Sequence, residues 1–199
     1  VEAAKDAADE AVKALPTKVS TADKALIDAA IAAVDAYETL SGETYTTTAI
    51  ESAALRYAYA FNNEMNAKVK AVSKTDKDAI KALLAEIKAV EDAYDYASVK
   101  KVLEENKADL NEYLDKIQKT EFDAVKAAIN AIPAAQNITD ADKTTVEAAR
   151  KLYDAYVAEY TEYDSAFYWN ETPTDRDGFV ADDFAASYQE LVAAETLLG

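Results

Sequence analysis

Apolar residues recur three and four positions apart along most of this chain, the spacing that lines one face of an α-helix. No segment alternates apolar and polar residues as a half-buried strand does. The pattern predicts about seven helices. The first covers residues 3–15 and stops at Pro16. The second covers 21–40, with Leu26, Ile27, Ala30, Val34 and Tyr37 on one face, and ends at Ser41-Gly42. A third covers 48–72 and buries Ile50, Ala54, Tyr57, Phe61, Met65 and Val69. The fourth follows Ser73 and carries Ile80, Leu83, Leu84, Ile87 and Val90. Tyr94 to Ser98 reads as a corner, with Ser98 as a cap. The fifth holds Val99, Val102, Leu103, Leu110, Tyr113, Leu114 and Ile117, and either breaks near Thr120 or runs on through Phe122, Val125 and Ile129 to Ile132. Pro133 ends it in both cases. The sixth covers 140–163 and the last 180–198.

Helix starts are marked by Ser or Thr with an acid three residues later, the capping-box pattern that satisfies orphan backbone N–H groups. Ser20 with Asp23, Thr48 with Glu51, Ser73 with Asp76, and Thr139 with Asp142 fit it. Two stretches also repeat. Ala14-Leu15-Pro16 leads to Ser20-Thr-Ala-Asp-Lys24 and ends in Asp35-Ala-Tyr37. Ala131-Ile132-Pro133 leads to Thr139-Asp-Ala-Asp-Lys143 and ends in Asp154-Ala-Tyr156. After a two-residue insertion in the turn, the following helix aligns without a gap. The expected fold is therefore all-α: two related antiparallel helical-bundle units in tandem, elongated. The first unit is 1–73, a linking helical pair is 74–119, and the second unit is 120–199.

Composition agrees with helices. The chain has 199 residues with three Gly and three Pro, well below average usage of roughly 7% and 5%. Half of it is apolar, much of that Ala, so the core leans on a limited set of Leu, Ile, Val, Tyr and Phe.

Charge and missing residue types remove several functions. A net charge of −17 disfavours nucleic acid and anionic membrane, which select basic surfaces. No apolar run is long enough to insert in a membrane. There is no Cys and no His, so Ser-His-Asp and Cys-His mechanisms and Glu-x-x-His di-iron sites are impossible. No glycine-rich phosphate loop occurs. The chain is not expected to be an enzyme; a carboxylate-based hydrolase is the distant alternative.

Ile138-Thr-Asp-Ala-Asp-Lys-Thr-Thr-Val-Glu-Ala-Ala-Arg-Lys-Leu-Tyr-Asp-Ala-Tyr156 resembles a phrase common in helical repeat modules of Gram-positive cell-surface proteins, S-layer-type or wall-anchored. Val19-Ser-Thr-Ala-Asp-Lys-Ala-Leu-Ile-Asp-Ala-Ala30 is similar but weaker. The resemblance implies an extracellular location at the bacterial cell surface or wall, and a structural, spacer, self-assembly or adhesion role without catalytic residues. The implied partners are other domains of the same surface protein, with cell-wall polymer or further copies as further partners. The opening residue Val1, in place of Met, fits the expectation of a processed or excised piece.

One segment offers candidate binding chemistry. Tyr153, Tyr156, Tyr160, Tyr163 and Phe167 fall on one helix face, followed by Tyr168-Trp169-Asn170-Glu171. They form either a core seam plugged by Trp169 or a platform for a glycan or cell-wall polymer. In the second reading Tyr160, Tyr163, Tyr168 and Trp169 stack on sugar rings and Asn170 holds their hydroxyls. Just beyond, Asp175, Asp177, Gly178 and Val180 fit the third, fifth, sixth and eighth positions of a calcium loop. Pro173 and Phe184 occupy its first and last positions and cannot ligate by side chain, leaving Asp182 and Asp183 of the next helix turn as substitutes. Calcium is the single cofactor this suggests, and a solvated Asp-Gly turn is the alternative. The charged runs Glu104 to Lys107 and Asp115 to Lys119 read as solvated faces opposite the apolar stripe of the fifth helix.

Overall fold

The computed structural model describes residues 1–160 and 185–199. These are all-α, with no strand among the described residues. The helices are α1 (Glu2–Lys13), α2 (Lys24–Ser41), α3 (Thr48–Ala71), α4 (Lys77–Ala93), α5 (Ala97–Asn130), α6 (Lys143–Tyr160) and α7 (Ala185–Leu198). Two compact units divide the chain, Val1–Leu110 and Asn111–Gly199, and α5 contributes to both.

In the first unit α1 packs on α2, α2 on α3, and α3 on α4. Ile27, Ile50, Ile80, Ile87, Leu103 and Leu110 are its fully buried aliphatic anchors. Tyr94, in the corner between α4 and α5, is also fully buried. Its ring meets Tyr57 edge-on at 5.4 Å, and Tyr57 stacks on Phe61 at 6.3 Å. The second unit closes around Phe122, Val125 and Ile129 of α5, Val146, Ala149 and Tyr156 of α6, and Leu191 and Ala194 of α7. Burying each such side chain stabilises by roughly 1.5–3 kcal/mol, which is how an Ala-rich chain without disulfides holds together.

The local geometry of the repeated segments recurs in detail. At the end of α1, the Ala14 N–H donates to the Glu10 carbonyl and Leu15 to Val12. At the end of α5, Ala131 donates to Ala127 and Ile132 to Ile129. Pro16 is followed by one 3-10 turn, Thr21–Asp23, and Pro133 by two, Ala135–Asn137 and Asp140–Asp142; Thr21–Asp23 and Asp140–Asp142 are each closed by a capping box. Asp23 Oδ2 accepts from the Ser20 N–H at 2.7 Å; Asp142 Oδ2 accepts from the Thr139 N–H at 2.9 Å. Each box opens an 18-residue helix. Ile27, Ala30 and Tyr37 are buried in α2, and Val146, Ala149 and Tyr156 are buried at the matching positions of α6. Because the two caps are built alike, Ser20→Ala and Thr139→Ala should each cost about 1 kcal/mol. Thermal melts followed by circular dichroism would read this, and a large inequality between the two variants would contradict the shared geometry.

Several sequence expectations need correction. Thr48 is not a cap: α3 begins at Thr48, and Thr47 precedes it, its hydroxyl donating to Glu51 Oε1 at 3.0 Å. Ser73 does not cap α4; Asp76 does, accepting from the Ala79 N–H at 3.0 Å. Ser98 lies inside α5, whose first turn is anchored on the Tyr96 carbonyl. At α4 a second polar residue, Asp76, takes the orphan donor that the spacing assigned to Ser73. The fifth helix does not break near Thr120; it runs to Asn130. Its Thr120 hydroxyl returns to the Lys116 carbonyl at 2.8 Å, which keeps it inside the helix.

Leu26 is 44% exposed and does not share the buried face of α2. The supposed solvated runs of α5 contain buried residues: Asn106 is 1% exposed and Gln118 5%. Both extend the buried row through Leu103, Leu110 and Leu114, so helical position overrides polarity. Both have a partner for their amide N–H, whereas Asn106 Oδ1 and both polar atoms of Asn111, which is 4% exposed, have none among the described residues. Asn106 Nδ2 donates to Asn62 Oδ1 at 2.7 Å, and Gln118 Nε2 to the Tyr156 hydroxyl at 3.1 Å. Gly42 follows α2 in the left-handed region with φ +71°, where its N–H donates to the Glu38 carbonyl at 2.8 Å. That conformation carries no Cβ penalty for Gly.

Candidate functional site

The tyrosine row of α6 is the part of the candidate segment that the structure describes. Tyr156 is 4% exposed and meets Phe122 edge-on at 6.0 Å. Tyr160 is half-buried: its ring lies 4.6 Å from that of Tyr156, and its hydroxyl donates to Glu121 Oε2 at 2.5 Å. Tyr153, also half-buried, stacks on Tyr188 of α7 at 5.1 Å. These three rings thus pack along a seam between α6 and its neighbours in the second unit. Tyr163, Tyr168, Trp169 and Asn170, proposed above with Tyr160 as a platform, lie outside the described residues, as do Asp175, Asp177 and Asp182 of the calcium reading. Among the described residues, no group of three or more acids, His or Cys is placed to hold a metal ion.

The most organised polar constellation in the second unit was not anticipated from sequence. Arg150 Nε and Nη2 each donate at 2.6 Å to the two oxygens of Glu195, a fork-on-fork pair linking α6 to α7. Its guanidinium also lies over the rings of Tyr153 and Tyr188, at 5.6 and 5.2 Å. Hydrogen bonding to Glu195 raises the Arg150 pKa further above its already high value, and the same bonds hold the Glu195 carboxyl below the usual range. Arg150 Nη1 also reaches Asp154 on its own helix at 3.4 Å, and the fork on Glu195 clamps α6 to α7. One signal was present in the sequence: Arg150 is one of only three arginines in a Lys-rich chain, and bidentate pairing with stacking is what Arg does and Lys does not.

In the first unit the comparable cluster is Lys24, Asp28 and Tyr94. Lys24 Nζ donates to Asp28 Oδ2 at 2.6 Å, the Tyr94 hydroxyl donates to Asp28 Oδ1 at 3.0 Å, and the ammonium lies 5.7 Å from the Tyr94 ring centre. Tyrosine hydroxyls close on carboxylates elsewhere as well. Tyr45 donates to Asp9 at 2.6 Å and Tyr37 to Glu43 at 2.5 Å. These contacts join helices or hold connections, and none forms a cavity lined with free reactive groups.

The tyrosines give the fold an alkaline limit. Tyr94, Tyr57, Tyr96 and Tyr153 have their pKa raised chiefly by burial, and Tyr37 and Tyr45 chiefly by their hydrogen bonds to Glu43 and Asp9. Below the unfolded tyrosine pKa of about 10 both states keep the phenolic proton, and this contribution is fully present. Above it the unfolded chain releases protons that the folded chain retains, so stability falls as pH rises. Tyrosinate absorbance and circular dichroism should therefore change together in one steep transition above about pH 10. Gradual ionisation with helicity unchanged would contradict it.

No described helix is long and apolar enough to cross a membrane. Compared with known protein families, with curated proteins and with solved structures, the chain matches none. The fold defines the class, an all-α helical protein.

Proposed function

We propose that this chain is a non-catalytic structural module, a spacer or assembly element of a bacterial cell-surface protein, built from two related helical units. The observation that carries the reading is the recurrence of one local design: the helix end, the proline, the capped 3-10 turn and the 18-residue helix with its matched burial. In repeat proteins such units serve extension and packing, because each repeat buries a neighbour's apolar face. The clamps at Arg150 and at Asp28 support this, since their polar groups are consumed in joining helices. The extracellular placement rests on the resemblance of the segment from Ile138 to Tyr156 to Gram-positive surface modules. Fractionation of the source cells, with an antibody against the chain, tests it. Recovery with the cell wall or surface layer is expected; recovery in the cytosol sinks the surface reading.

A binding module for a glycan or wall polymer is the second reading. It rests on the aromatic row from Tyr153 to Phe167 and on Tyr168, Trp169 and Asn170, which follow it in the sequence. Trp169→Ala discriminates. Lost retention on purified cell wall at an unchanged melting temperature supports binding; a lowered melting temperature with retention unchanged supports a packing role.

A further inference from the structure

In the first unit a polar side chain is buried in a row of apolar ones. Val99, Leu103, Asn106 and Leu110 follow one another along one face of α5, and all four are buried. Asn106 Nδ2 donates to Asn62 Oδ1 on α3 at 2.7 Å and, more weakly, to the Asn62 carbonyl at 3.4 Å. Asn62 is half-buried and interrupts a row of its own, formed by the buried residues Ala58, Met65 and Val69. The next residue of α5, Lys107, donates to both Glu91 oxygens on α4 at 3.0 and 3.3 Å, and both side chains are partly buried. Two successive residues thus tie α5 to α3 and to α4 at one level. The Asn106 pairing is incomplete: its Oδ1 has no partner among the described residues. A buried acceptor left without a hydrogen bond opposes folding.

We propose that Asn106 sets the register of α5 against α3, a conformational lock that the chain keeps at a cost in stability. The spacing of the two rows shows what it prevents. Positions 58, 62, 65 and 69 on α3 and positions 99, 103, 106 and 110 on α5 both step by four, three and four. Such a row superposes on itself after seven residues, about 10 Å along the helix axis. Were both rows wholly apolar, α5 could slide by that step along α3 and still bury apolar side chains against apolar ones, because apolar contact is not directional. A hydrogen bond is directional and short. The same slide would carry the Asn106 amide away from Asn62 and leave all of its polar atoms buried without a partner. A single polar residue in an apolar helix seam fixes register in this way in other helical assemblies, also at a cost in stability. Asn111 supplies the contrast. It is buried, and neither of its polar atoms has a partner among the described residues, so it has no alignment to enforce.

The lock requires no surface location, so it stands or falls separately from the proposed function. Asn106→Leu and Asn106→Val, made in the intact chain, replace the amide by apolar side chains of two sizes. The better-fitting of the two should melt about 2–4 °C above the wild type. Its α5 signals in an amide NMR spectrum should double or broaden, because more than one register is then populated. Asn62→Leu should melt below the wild type, since it removes the 2.7 Å partner and strands the Asn106 N–H. Asn111→Leu should keep a single sharp set of α5 signals. Melting of both Asn106 variants below the wild type, one sharp set of α5 signals in the better-fitting of them, or the same doubling in Asn111→Leu would overturn the proposal.

Discussion

Ile27→Ala should lower the stability of the chain by about 2–5 kcal/mol, and Val146→Ala by about 1.5–3 kcal/mol. Ile27 is 0% exposed and Val146 is 2% exposed. They occupy equivalent places, one turn past a capped 3-10 turn, in helices of equal length. Truncation at either leaves a cavity that rigid neighbours fill only in part. The difference in magnitude follows from the side chain, since isoleucine loses one more carbon than valine. Denaturant unfolding of both variants provides the check. A cost below 1 kcal/mol at Ile27, on the scale of an exposed substitution, would mean that α2 does not bury this face.

Arg150→Ala should cost about 2 kcal/mol, nearly all of it from the second unit's contacts between α6 and α7. The change removes two charge-assisted hydrogen bonds, strands the Glu195 carboxylate and strips the guanidinium from beside the stacked rings of Tyr153 and Tyr188. Partial exposure, 25% for the Arg150 side chain and 34% for Glu195, keeps the effect below that of a sealed ion pair, because water screens what it reaches. Arg150→Lys should recover less than half, since an ammonium keeps the charge and loses the fork and the stacking. Acid adds a second readout. The lowered Glu195 pKa means that its stabilisation is present above the unfolded glutamate range and is lost as pH falls through the folded value. The gap between wild type and Arg150→Ala should therefore close on acidification. A gap that stays constant to low pH would assign the effect to packing alone.

What could be read from the residues, and what could not, follows the range of each interaction. Caps at Ser20 and Thr139 were legible because donor and acceptor lie three residues apart. The apolar row of α4 was legible because a single face carries all its large residues. Leu26 was misplaced because α2 is apolar nearly all round, so periodicity cannot say which side meets the core. Asn106 and Gln118 were assigned to water on polarity, although their partners, Asn62 and Tyr156, lie 44 and 38 residues away. Arg150 and Glu195 are separated by 45 residues, beyond the reach of any local spacing rule. Of the candidate site only Tyr160 falls within the described residues, and its hydroxyl bond to Glu121 depends on where α5 passes, which no pattern within α6 encodes.

The chain holds 38 acidic residues against 21 basic ones, so many carboxylates cannot be matched by cations. At Asp9, Asp28, Glu43 and Glu121 the phenol of a tyrosine serves as donor. A phenol binds an anion without cancelling it. At Asp9 and Asp28 the phenol adds a second donor to a carboxylate already paired with Lys5 or Lys24. Added salt screens the lysine's share of such a tie and leaves the neutral phenol's hydrogen bond largely in place.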